Sequence, residues 1–507
     1  MELMNNQTGM VYLVGAGPGD PGLITVRGRQ CLEKAEVVIY DRLSAVSLLE
    51  LAPAEAIMID VGKAPGDQPY SQEAINQILV KYGSEGKLVV RLKGGDPFLF
   101  GRGGEEALAL KEAKVPYIVI PGVTSALAAP AYAGIPVTHR GISASVTIVT
   151  GHEMLGKEQS DINWEAISRS AQTLVILMGT ANLSAIVQKL KVNGLAGTTP
   201  VVIIENGTTA WQRVIRGELQ NIFSKSEEAN LQSPAVIVIG AVAGLSEKLD
   251  WVKEQRPLLG KKILITRPAG QITELAGLIL QAGGEPLICP TIKVEEIPVN
   301  SKKIIEAVRS AEWLVFTSVN GVEGFFKILR AARLDSRFLH HLKVAVIGEK
   351  TGEVLIGKGI IPDFQPSLYT SSDLCRELGS EIAGRRVVLL RVNDAPRDLA
   401  DGLRGYGGLV EEYPVYEVRT ETRYTEQIID NLKAGKVSAV LLTSPSTVKG
   451  LLENIDGELE LFRNVSVICI GPVTAKYAAE CGIRVDGVAE NSSNEEMVKV
   501  LIRVSGS

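Results

Sequence analysis

A glycine-rich segment with one carboxylate is the first candidate for ligand binding. In VVRLKGGDPFLFGRGGEE, residues 89–106, an apolar strand leads into Gly94, Gly95 and Asp96, and a helix follows that opens with paired glutamates. Glycines let a backbone approach a ligand closely, and the free N–H groups at a helix start usually bind phosphate. Because Asp96 would repel a phosphate and the loop has no Gly-Lys-Ser or Gly-Lys-Thr, we expect a ligand that is neutral or cationic there.

A second glycine motif, GAGPGDPG at residues 15–22, follows the dinucleotide fingerprint only in part. G-x-G comes after a strand, and Asp41 closes the next strand about 20 residues later, as that fingerprint requires. The third glycine position, however, holds Asp20, and Pro18 removes an N–H donor from the turn. The motif therefore argues against nicotinamide or flavin binding. For either glycine loop taken alone, a tight turn without a ligand remains the alternative.

The elements that would position these loops alternate along the whole chain of 507 residues, a length that suggests three or four domains. Runs rich in Val and Ile, such as MVYLVGAG, KLVVRLKGG and AVIVIG, are separated by helical patterns. Strands without polar alternation indicate sheets that are covered on both faces, so the predicted class is α/β. The charged segment VKEQRPLLG, residues 252–260, is broken by Pro257 and Gly260 and is the best domain boundary.

The region beyond that boundary repeats itself at an offset of about 124 residues. Arg267 aligns with Arg391, and VFTSVNGV aligns with LLTSPSTV, which pairs Ser318 with Ser444. The second half is therefore predicted to be two related α/β lobes with a ligand pocket between them.

Composition excludes several functional classes. The formal net charge of −5 argues against nucleic-acid binding as the main task. Five scattered cysteines without C-x-x-C, and four histidines without ligand spacing, indicate neither disulfides nor a metal site. No apolar run reaches the ~20 residues that a membrane span needs, and the first residues lack a targeting pattern. We expect a soluble cytoplasmic protein.

The motifs of the first half occur in a family-specific order and spacing: GAGPGDPGLIT, YDRL, VRLKGGDPFLFGRGGEE, PGVTSALAAPAYAGIPVTHR, TGH, LMG, IENGT and SPAVIVIG. Over about residues 9–250 the chain resembles the S-adenosylmethionine-dependent uroporphyrinogen-III C-methyltransferases of the tetrapyrrole methylase family. The resemblance implies two α/β lobes, about 9–125 and 126–250, in a homodimer, with S-adenosylmethionine as cofactor and S-adenosylhomocysteine as product. A cationic sulfonium and ammonium suit a glycine loop that carries a carboxylate.

The same resemblance implies roles for individual residues. Asp41 matches the family's proton acceptor and Lys63 its proposed proton donor, although Ala64 and Gln68 depart from the usual neighbours of that lysine. The alternatives are a ribose or helix-cap ligand for Asp41, a solvated loop lysine for Lys63, and a core position for Met178. The family's cofactor-contact positions match Pro18, Gly94, Gly95, Asp96, Leu99, Thr124, Ser125, Met178 and Gly207.

The implied tetrapyrrole substrate is a polycarboxylate, so a basic cleft mouth is expected. Candidates in or beside the motifs are Arg91, Arg102, His139, Arg140 and Arg213. For each of them, a solvated surface position is the alternative.

Residues 260–507 resemble uroporphyrinogen-III synthase through short motifs, including ILITRP, VFTSVNGV, VIGEKT, LLTSPS and CIGPVTA. The resemblance implies two similar lobes, 260–293 plus 419–507 and 294–418, joined by two strands and following a linker at 251–259. It implies no cofactor. Tyr416 matches the tyrosine proposed to assist departure of a hydroxyl, and a packing role is its alternative. The candidate substrate contacts are Thr266, Arg267, Thr317, Ser318, Ser444 and Thr474.

Together the two resemblances predict a bifunctional enzyme. The second half would cyclise hydroxymethylbilane to uroporphyrinogen III, and the first would methylate that ring twice to precorrin-2, for sirohaem or cobalamin. One alternative makes residues 258–507 a non-catalytic tetrapyrrole-binding module. Another has the first half methylate a later intermediate of the cobalamin pathway.

Overall fold

The computed structural model describes residues 9–41, 46–62, 70–151, 162–367 and 370–506. These residues form two compact units. One contains the described residues up to Lys262 together with Gly277–Pro286, and the other contains Ile263–Ala276 and Leu287–Ser505. No helix among the described residues is long and apolar enough to cross a membrane.

The first sheet has five parallel strands in the order β3-β2-β4-β1-β5. Its elements are β1 (Met10–Gly15), α1 (Val26–Leu32), β2 (Val37–Tyr40), α2 (Val46–Leu49), β3 (Ile57–Asp60), α3 (Gln72–Ser84), β4 (Leu88–Lys93), α4 (Gly103–Glu112) and β5 (Tyr117–Ile120). The central strands β2, β4 and β1 are almost entirely buried, as their continuous apolar runs predict. Because the strands are parallel, the loops that follow β4, β1 and β5 meet at one edge.

The second sheet is mixed, in the order β6-β7-β10-β8-β9. Its elements are α5 (Ser125–Tyr132), β6 (Val146–Thr150), α6 (Trp164–Ser170), β7 (Thr173–Leu177), α7 (Leu183–Val192), β8 (Pro200–Glu205), β9 (Arg213–Glu218), α8 (Ile222–Glu228) and β10 (Ala235–Gly240), followed by α9 (Val252–Gln255). Only β6 and β7 pair in parallel. The sequence pattern did not predict strand β9, because it is an edge strand that contains the charged residues Arg213, Arg216 and Glu218.

The second half contains ten strands and ten helices among its described residues. They are β11 (Lys262–Ile265), α10 (Thr273–Gln281), β12 (Glu285–Ile288), β13 (Ile292–Glu296), α11 (Ser301–Ser310), β14 (Trp313–Phe316), α12 (Val319–Ala331), β15 (Lys343–Val346), α13 (Glu349–Gly357), α14 (Ser371–Ile382), β16 (Arg386–Val392), α15 (Asp398–Gly405), β17 (Leu409–Thr420), α16 (Thr425–Lys433), β18 (Ala439–Leu442), α17 (Pro445–Asn454), β19 (Ser466–Cys469), α18 (Pro472–Glu480), β20 (Gly487–Val488) and α19 (Asn494–Ser505).

These strands form two sheets, β12-β11-β18-β19-β20 and β13-β17-β16-β14-β15. The sequence repeat places β12, β11, β18 and β19 on β17, β16, β14 and β15, and both sheets keep that order. Strands β13 and β17 pair in antiparallel fashion, with Ile292 opposite Thr420 and Glu296 opposite Tyr416. The predicted fold class is confirmed: α/β throughout, with two similar lobes joined by two strands in the second half.

Candidate active sites

The loops that follow β1 and β4 lie against each other through two glycines. The Gly17 N–H donates to the Gly95 carbonyl at 3.3 Å, and the Gly95 N–H donates to the Gly17 carbonyl at 2.7 Å. Their φ angles of 81° and 68° lie in the left-handed region that favours glycine. Pro18 and Gly94 flank this contact, and both remain partly accessible.

Three backbones converge where β1, β4 and β5 end. A Cβ on Gly122 would lie 2.2 Å from the Gly95 carbonyl oxygen, and a Cβ on Gly15 would lie 2.4 Å from the Gly122 Cα. The Cβ position of Gly95 has the backbones of Thr124 and Ser125 as its nearest neighbours, both at 3.9 Å. This packing, which side chains would prevent, places the glycine loop beside the start of α5.

The Asp96 carboxylate holds two of these loops together. One oxygen accepts the N–H groups of Phe98 and Leu99, at 2.8 and 3.1 Å, and the other accepts that of Gly122 at 3.0 Å. Asp96 therefore fixes the loop of β4 against the loop after β5, a task that its sequence context did not reveal. Its suitability for a cationic ligand stays a prediction.

Helix α5 connects the glycine loops to the turn around Gly207. Thr124 is the N-cap, and its hydroxyl accepts the Ala126 N–H at 3.3 Å. Further along α5, a Cβ on Gly207 would lie 2.5 Å from the Ala129 Cβ, so that the turn packs directly on the helix. Ser125, the first residue of α5, thus lies in the same neighbourhood as Gly95 and Gly207.

Met178 follows β7 with φ at 53° and is 49% exposed. Such exposure excludes the core position that was its alternative. Leu99, on the loop of β4, packs against the apolar cluster that contains Leu177. The structure therefore brings together the segments that carry most of the predicted cofactor contacts: the loops after β1 and β4, the start of α5 and the turn at Gly207. Met178 directly follows Leu177, which lies in the apolar cluster that Leu99 packs against.

Four charged side chains form a cluster beside the ends of β2 and β4, and three of them are buried. Glu106 Oε1 accepts from Arg91 Nε at 3.1 Å and from Lys93 Nζ at 2.7 Å. Arg91 Nη2 lies 3.5 Å from Asp41 Oδ2. Arg91, Lys93 and Glu106 are 3%, 4% and 0% exposed, and burial lowers the pKa of Lys93, with the nearby Arg91 charge acting in the same direction. Asp41 Oδ1 and Glu106 Oε2 are buried with no hydrogen-bond partner among the described residues.

Arg91 does not lie at an exposed cleft mouth, where the sequence led us to expect it. Besides the two carboxylates, its Nη1 donates to the carbonyls of Ile39 and Leu92 at 3.4 and 3.1 Å. Because its donors are already bonded to these groups, Arg91 has a structural role beside Asp41. The physical reason is that β4 is covered on both faces, so a cation on it must be paired internally.

The other basic candidates lie at or near the surface. Arg102 forms two hydrogen bonds to Glu105, and Arg213 at the start of β9 contacts Glu205 at 2.6 Å. His139 and Arg140 are exposed in the loop after α5. Lys63, with Ala64 and Gln68, lies outside the described residues. No group of three or more His, Cys, Asp or Glu in the described part of the chain could hold a metal ion.

Sequence reasoning missed Lys93, Glu106 and Gly122. A signal for the first two was present, because Arg91 and Lys93 are two residues apart and project to the same face of a buried strand. Buried cations need carboxylates, and the helix that follows this strand opens with paired glutamates. Gly122 lay inside the PGVTS motif, but its close approach to Gly95 depends on how three strands are arranged.

In the second half, the structure joins Tyr416 to Ser318. The two hydroxyl oxygens lie 2.9 Å apart, and Tyr416 is 7% exposed. Ser318 is the N-cap of α12 and also accepts the Gly321 N–H at 3.1 Å. Burial raises the pKa of Tyr416, while Ser318, Arg391 and Asn320 act in the opposite direction. The phenol therefore stays protonated and can donate a hydrogen bond.

The repeat-related arginines Arg267 and Arg391 occupy similar environments. Arg391 Nη1 contacts Glu412 at 2.9 Å, and Arg267 Nη1 contacts Asn494 at 2.7 Å. In each arginine, Nε is buried without a hydrogen-bond partner among the described residues. Burial lowers the pKa of Arg267. Arg391, which sequence reasoning did not select, thus shares the features of the selected Arg267.

The remaining candidates of this half differ in accessibility. Thr266 is fully buried, and its hydroxyl donates to the Leu441 carbonyl at 2.8 Å, so it is not open to a substrate as expected. Thr474 is also buried, in α18. Thr317 is partly accessible, and Ser444 caps α17 in the way that Ser318 caps α12.

Family models match both halves of the chain. Residues 10–222 match the model described as Tetrapyrrole (Corrin/Porphyrin) Methylases. Residues 273–499 match the model described as Uroporphyrinogen-III synthase HemD.

Similar proteins cover between half of the chain and nearly all of it. The porphyrin biosynthesis protein HemD of Ruminiclostridium josui is 38% identical over 98% of both chains. The uroporphyrinogen-III C-methyltransferase of Bacillus subtilis (strain 168) is 39% identical over 72% of this chain and 76% of its own. The S-adenosyl-L-methionine-dependent uroporphyrinogen III methyltransferase of Methanosarcina barkeri is 49% identical over 50% of this chain and 98% of its own.

Proposed function

Because this chain belongs to the tetrapyrrole methylase family in its first half and to the uroporphyrinogen-III synthase family in its second, we propose that it is a bifunctional enzyme of tetrapyrrole biosynthesis. The second half closes hydroxymethylbilane to uroporphyrinogen III with loss of water. The first half transfers two methyl groups from S-adenosylmethionine to that ring and gives precorrin-2, a precursor of sirohaem and cobalamin. The enzyme acts in the cytoplasm, as a homodimer through the methyltransferase half.

One observation carries the methyltransferase proposal: the backbones of Gly17, Gly95 and Gly122 meet beside the start of α5 and the turn at Gly207. The Asp96 carboxylate, which three backbone amides hold in this loop, suits a cationic cofactor better than a diphosphate. S-adenosylmethionine supplies an electrophilic methyl group when bound. The residues that would hold it are Pro18, Gly94, Gly95, Asp96, Leu99, Thr124, Ser125, Met178 and Gly207.

Asp41 is proposed as the proton acceptor of the methylation. Its Oδ1, which has no hydrogen-bond partner among the described residues, is proposed to take the proton, while Arg91 holds Oδ2. The surface residues Arg102, His139, Arg140 and Arg213 are proposed to bind substrate carboxylates, and Lys63 to return a proton. Asp41→Ala should severely lower methylation and leave cofactor binding intact; wild-type turnover in that variant would refute the assignment.

In the synthase half, the proposed work of the protein is chiefly conformational. It must hold a flexible polyanion in the bend that favours ring closure at the substituted carbon. The protonated Tyr416 hydroxyl, oriented by Ser318, is proposed to donate its hydrogen bond to the departing hydroxyl. Arg267, Thr317 and Ser444 remain proposed contacts, whereas the buried Thr266 and Thr474 are no longer proposed.

We also propose domain bounds: 9–250 for the methyltransferase, 251–259 for the linker and 260–507 for the synthase. Supporting them, the first two sheets draw their strands from Met10–Gly240 and the last two from Lys262–Val488.

The decisive experiment supplies hydroxymethylbilane and methyl-labelled S-adenosylmethionine to the pure protein and identifies the product by mass. We expect a doubly labelled type III ring, and unlabelled uroporphyrinogen III when the cofactor is omitted. Formation of only the spontaneous type I ring would refute the synthase activity and favour a binding module. A type III ring without label would refute the methyltransferase activity.

A further inference from the structure

The segment that follows the second sheet packs against the turn that carries Gly207. Arg256 in this segment is 6% exposed, and its Nη1 donates to the Thr208 carbonyl at 3.0 Å. The same guanidinium lies over the Tyr132 ring, 5.3 Å from its centroid. All these residues belong to the first compact unit. Arg256 therefore packs within the same compact unit as the first two sheets.

The turn that Arg256 contacts is strained. Asn206 and Thr208 have φ angles of 48° and 72°, which are uncommon for residues with a Cβ. Such conformations persist only when the surrounding structure holds them in place. The Thr208 hydroxyl accepts the Asp20 N–H at 3.1 Å, and the Thr208 N–H donates to Gln212 Oε1 at 2.8 Å. Arg256 supplies the bond to the one remaining backbone group of Thr208.

Tyr132 connects Arg256 to the loop after β1. Its hydroxyl donates to Asp20 Oδ2 at 2.9 Å. Burial and the neighbouring Asp20 charge raise the pKa of Tyr132 to about 12, so the phenol remains a donor at neutral pH. Trp251 packs edge-on against the Tyr132 ring at 5.2 Å and donates from Nε1 to the Ala131 carbonyl at 3.0 Å.

Arg256 has little room to leave this position. The Gly260 N–H donates to the Ala210 carbonyl at 2.6 Å, so the segment is anchored to the strained turn on both sides of Pro257. On its other side, a Cβ on Gly283 would lie 2.6 Å from the Arg256 Cβ. The guanidinium is thus held between the Tyr132 ring and the Thr208 carbonyl.

We propose that Arg256 is a positioning residue for the cofactor site: it fixes the turn 206–208 in the conformation in which Gly207 meets S-adenosylmethionine. The inference rests on the proposed function, because it takes Gly207 as a cofactor contact. The segment after the second sheet then acts on cofactor affinity in addition to joining two parts of the chain. A merely structural Arg256 would change the stability of the unit and leave cofactor affinity in the folded protein unchanged.

The test compares Arg256→Met, Arg256→Gln and Arg256→Lys with wild type in the full chain. Calorimetric titration measures the Kd for S-adenosylhomocysteine, and initial rates give KM for S-adenosylmethionine and for uroporphyrinogen III separately. Lys253→Met is the matched control, since Lys253 is an exposed cation on α9, the short helix whose C-cap is Arg256. The rate of ring closure from hydroxymethylbilane, measured in the same samples, shows whether the second half of the chain is still folded and active.

We expect Arg256→Met to raise the cofactor Kd and KM by about tenfold or more, since a buried charged hydrogen bond is lost. The KM for uroporphyrinogen III should stay within about twofold, Arg256→Lys should recover part of the affinity, and Lys253→Met should match wild type. Unchanged cofactor affinity in all folded Arg256 variants would overturn the inference. If Arg256→Met does not fold, the cofactor affinities of Arg256→Gln and Arg256→Lys test the inference by the same criterion. A wild-type protein that binds no cofactor would instead refute the proposed function.

Discussion

At the scale of single residues, the cluster of Arg91, Lys93, Glu106 and Asp41 shows how a proposed catalytic carboxylate is held. Arg91 lies within 3.5 Å of both carboxylates, and Lys93 lies 2.7 Å from Glu106. All of these side chains except that of Asp41 are almost fully buried. Opposite charges in a low-dielectric site attract strongly, but each is costly to leave alone. Removing one member should therefore affect the whole cluster.

Arg91→Met should lower the free energy of unfolding by about 3–5 kcal/mol, because Glu106 and Asp41 lose a buried partner. Urea denaturation of the full chain measures this change. Arg29→Met is the control, since Arg29 makes an exposed bond to Glu33 and should cost about 0–1 kcal/mol. Equal losses in the two variants would contradict the buried cluster.

Ser318 and Ser444 are the N-caps of α12 and α17, and at Ser444 the side chain of Thr447 completes a capping box. Each accepts the N–H of the residue three positions later, so Ser→Ala at either should cost about 0.5–2 kcal/mol. Only Ser318 also contacts the Tyr416 hydroxyl. We expect Ser318→Ala to slow ring closure by about tenfold more than Ser444→Ala at similar stability, measured as uroporphyrinogen III formed. Equal rates of ring closure in the two variants would contradict a role for the Ser318–Tyr416 contact in the reaction.

At the scale of elements, the backbones that follow β1, β4 and β5 approach one another closely because Gly15, Gly95 and Gly122 lack side chains. The Gly122 position has a carbonyl oxygen 2.2 Å from where a Cβ would stand, whereas Gly104 in α4 has no atom within 4 Å. Close approach of the strands therefore depends on Gly122, and Gly104 has no comparable constraint.

Gly122→Ala should destabilise the protein by about 3 kcal/mol and weaken cofactor binding, because the backbone of Gly95 must move away. Gly104→Ala should instead stabilise it by about 0.5–1 kcal/mol, as alanine favours a helix. Thermal unfolding and cofactor titration on both variants test the difference. A Gly122→Ala protein as stable as wild type would show that the strand ends do not meet as described.

At the scale of the whole molecule, one chain carries two chemistries on separate sheets. Asp41 follows β2 of the first sheet, and Tyr416 lies in β17 of the last. No residue proposed for one reaction belongs to the sheets of the other. The two activities should therefore be separable by single substitutions.

Asp41→Ala should accumulate uroporphyrinogen III from hydroxymethylbilane, whereas Tyr416→Phe should slow ring closure and still methylate uroporphyrinogen III that is supplied. Product analysis by mass after each reaction distinguishes the cases. Loss of ring closure in Asp41→Ala, with the fold intact, would mean that the two halves do not act independently.

The sequence by itself determined the α/β class, the repeat in the second half, the glycine loops and the families. These properties are local or periodic: strand patterns, turn residues and short motifs keep their meaning whatever the distant contacts are. Residues proposed for the cofactor site, such as Gly94, Gly95 and Thr124, could therefore be selected without a structure.

Only the tertiary structure decided which polar side chains are buried and which groups they form hydrogen bonds with. Arg91, expected at a cleft mouth, pairs internally, Thr266 is closed to solvent, and Asp96 binds three amides. Ser318 meets Tyr416 across 98 residues of chain, and Arg256 meets Thr208 across 48. Such contacts depend on how sheets and helices pack, because burial and pairing are properties of three-dimensional neighbours that no motif of adjacent residues contains.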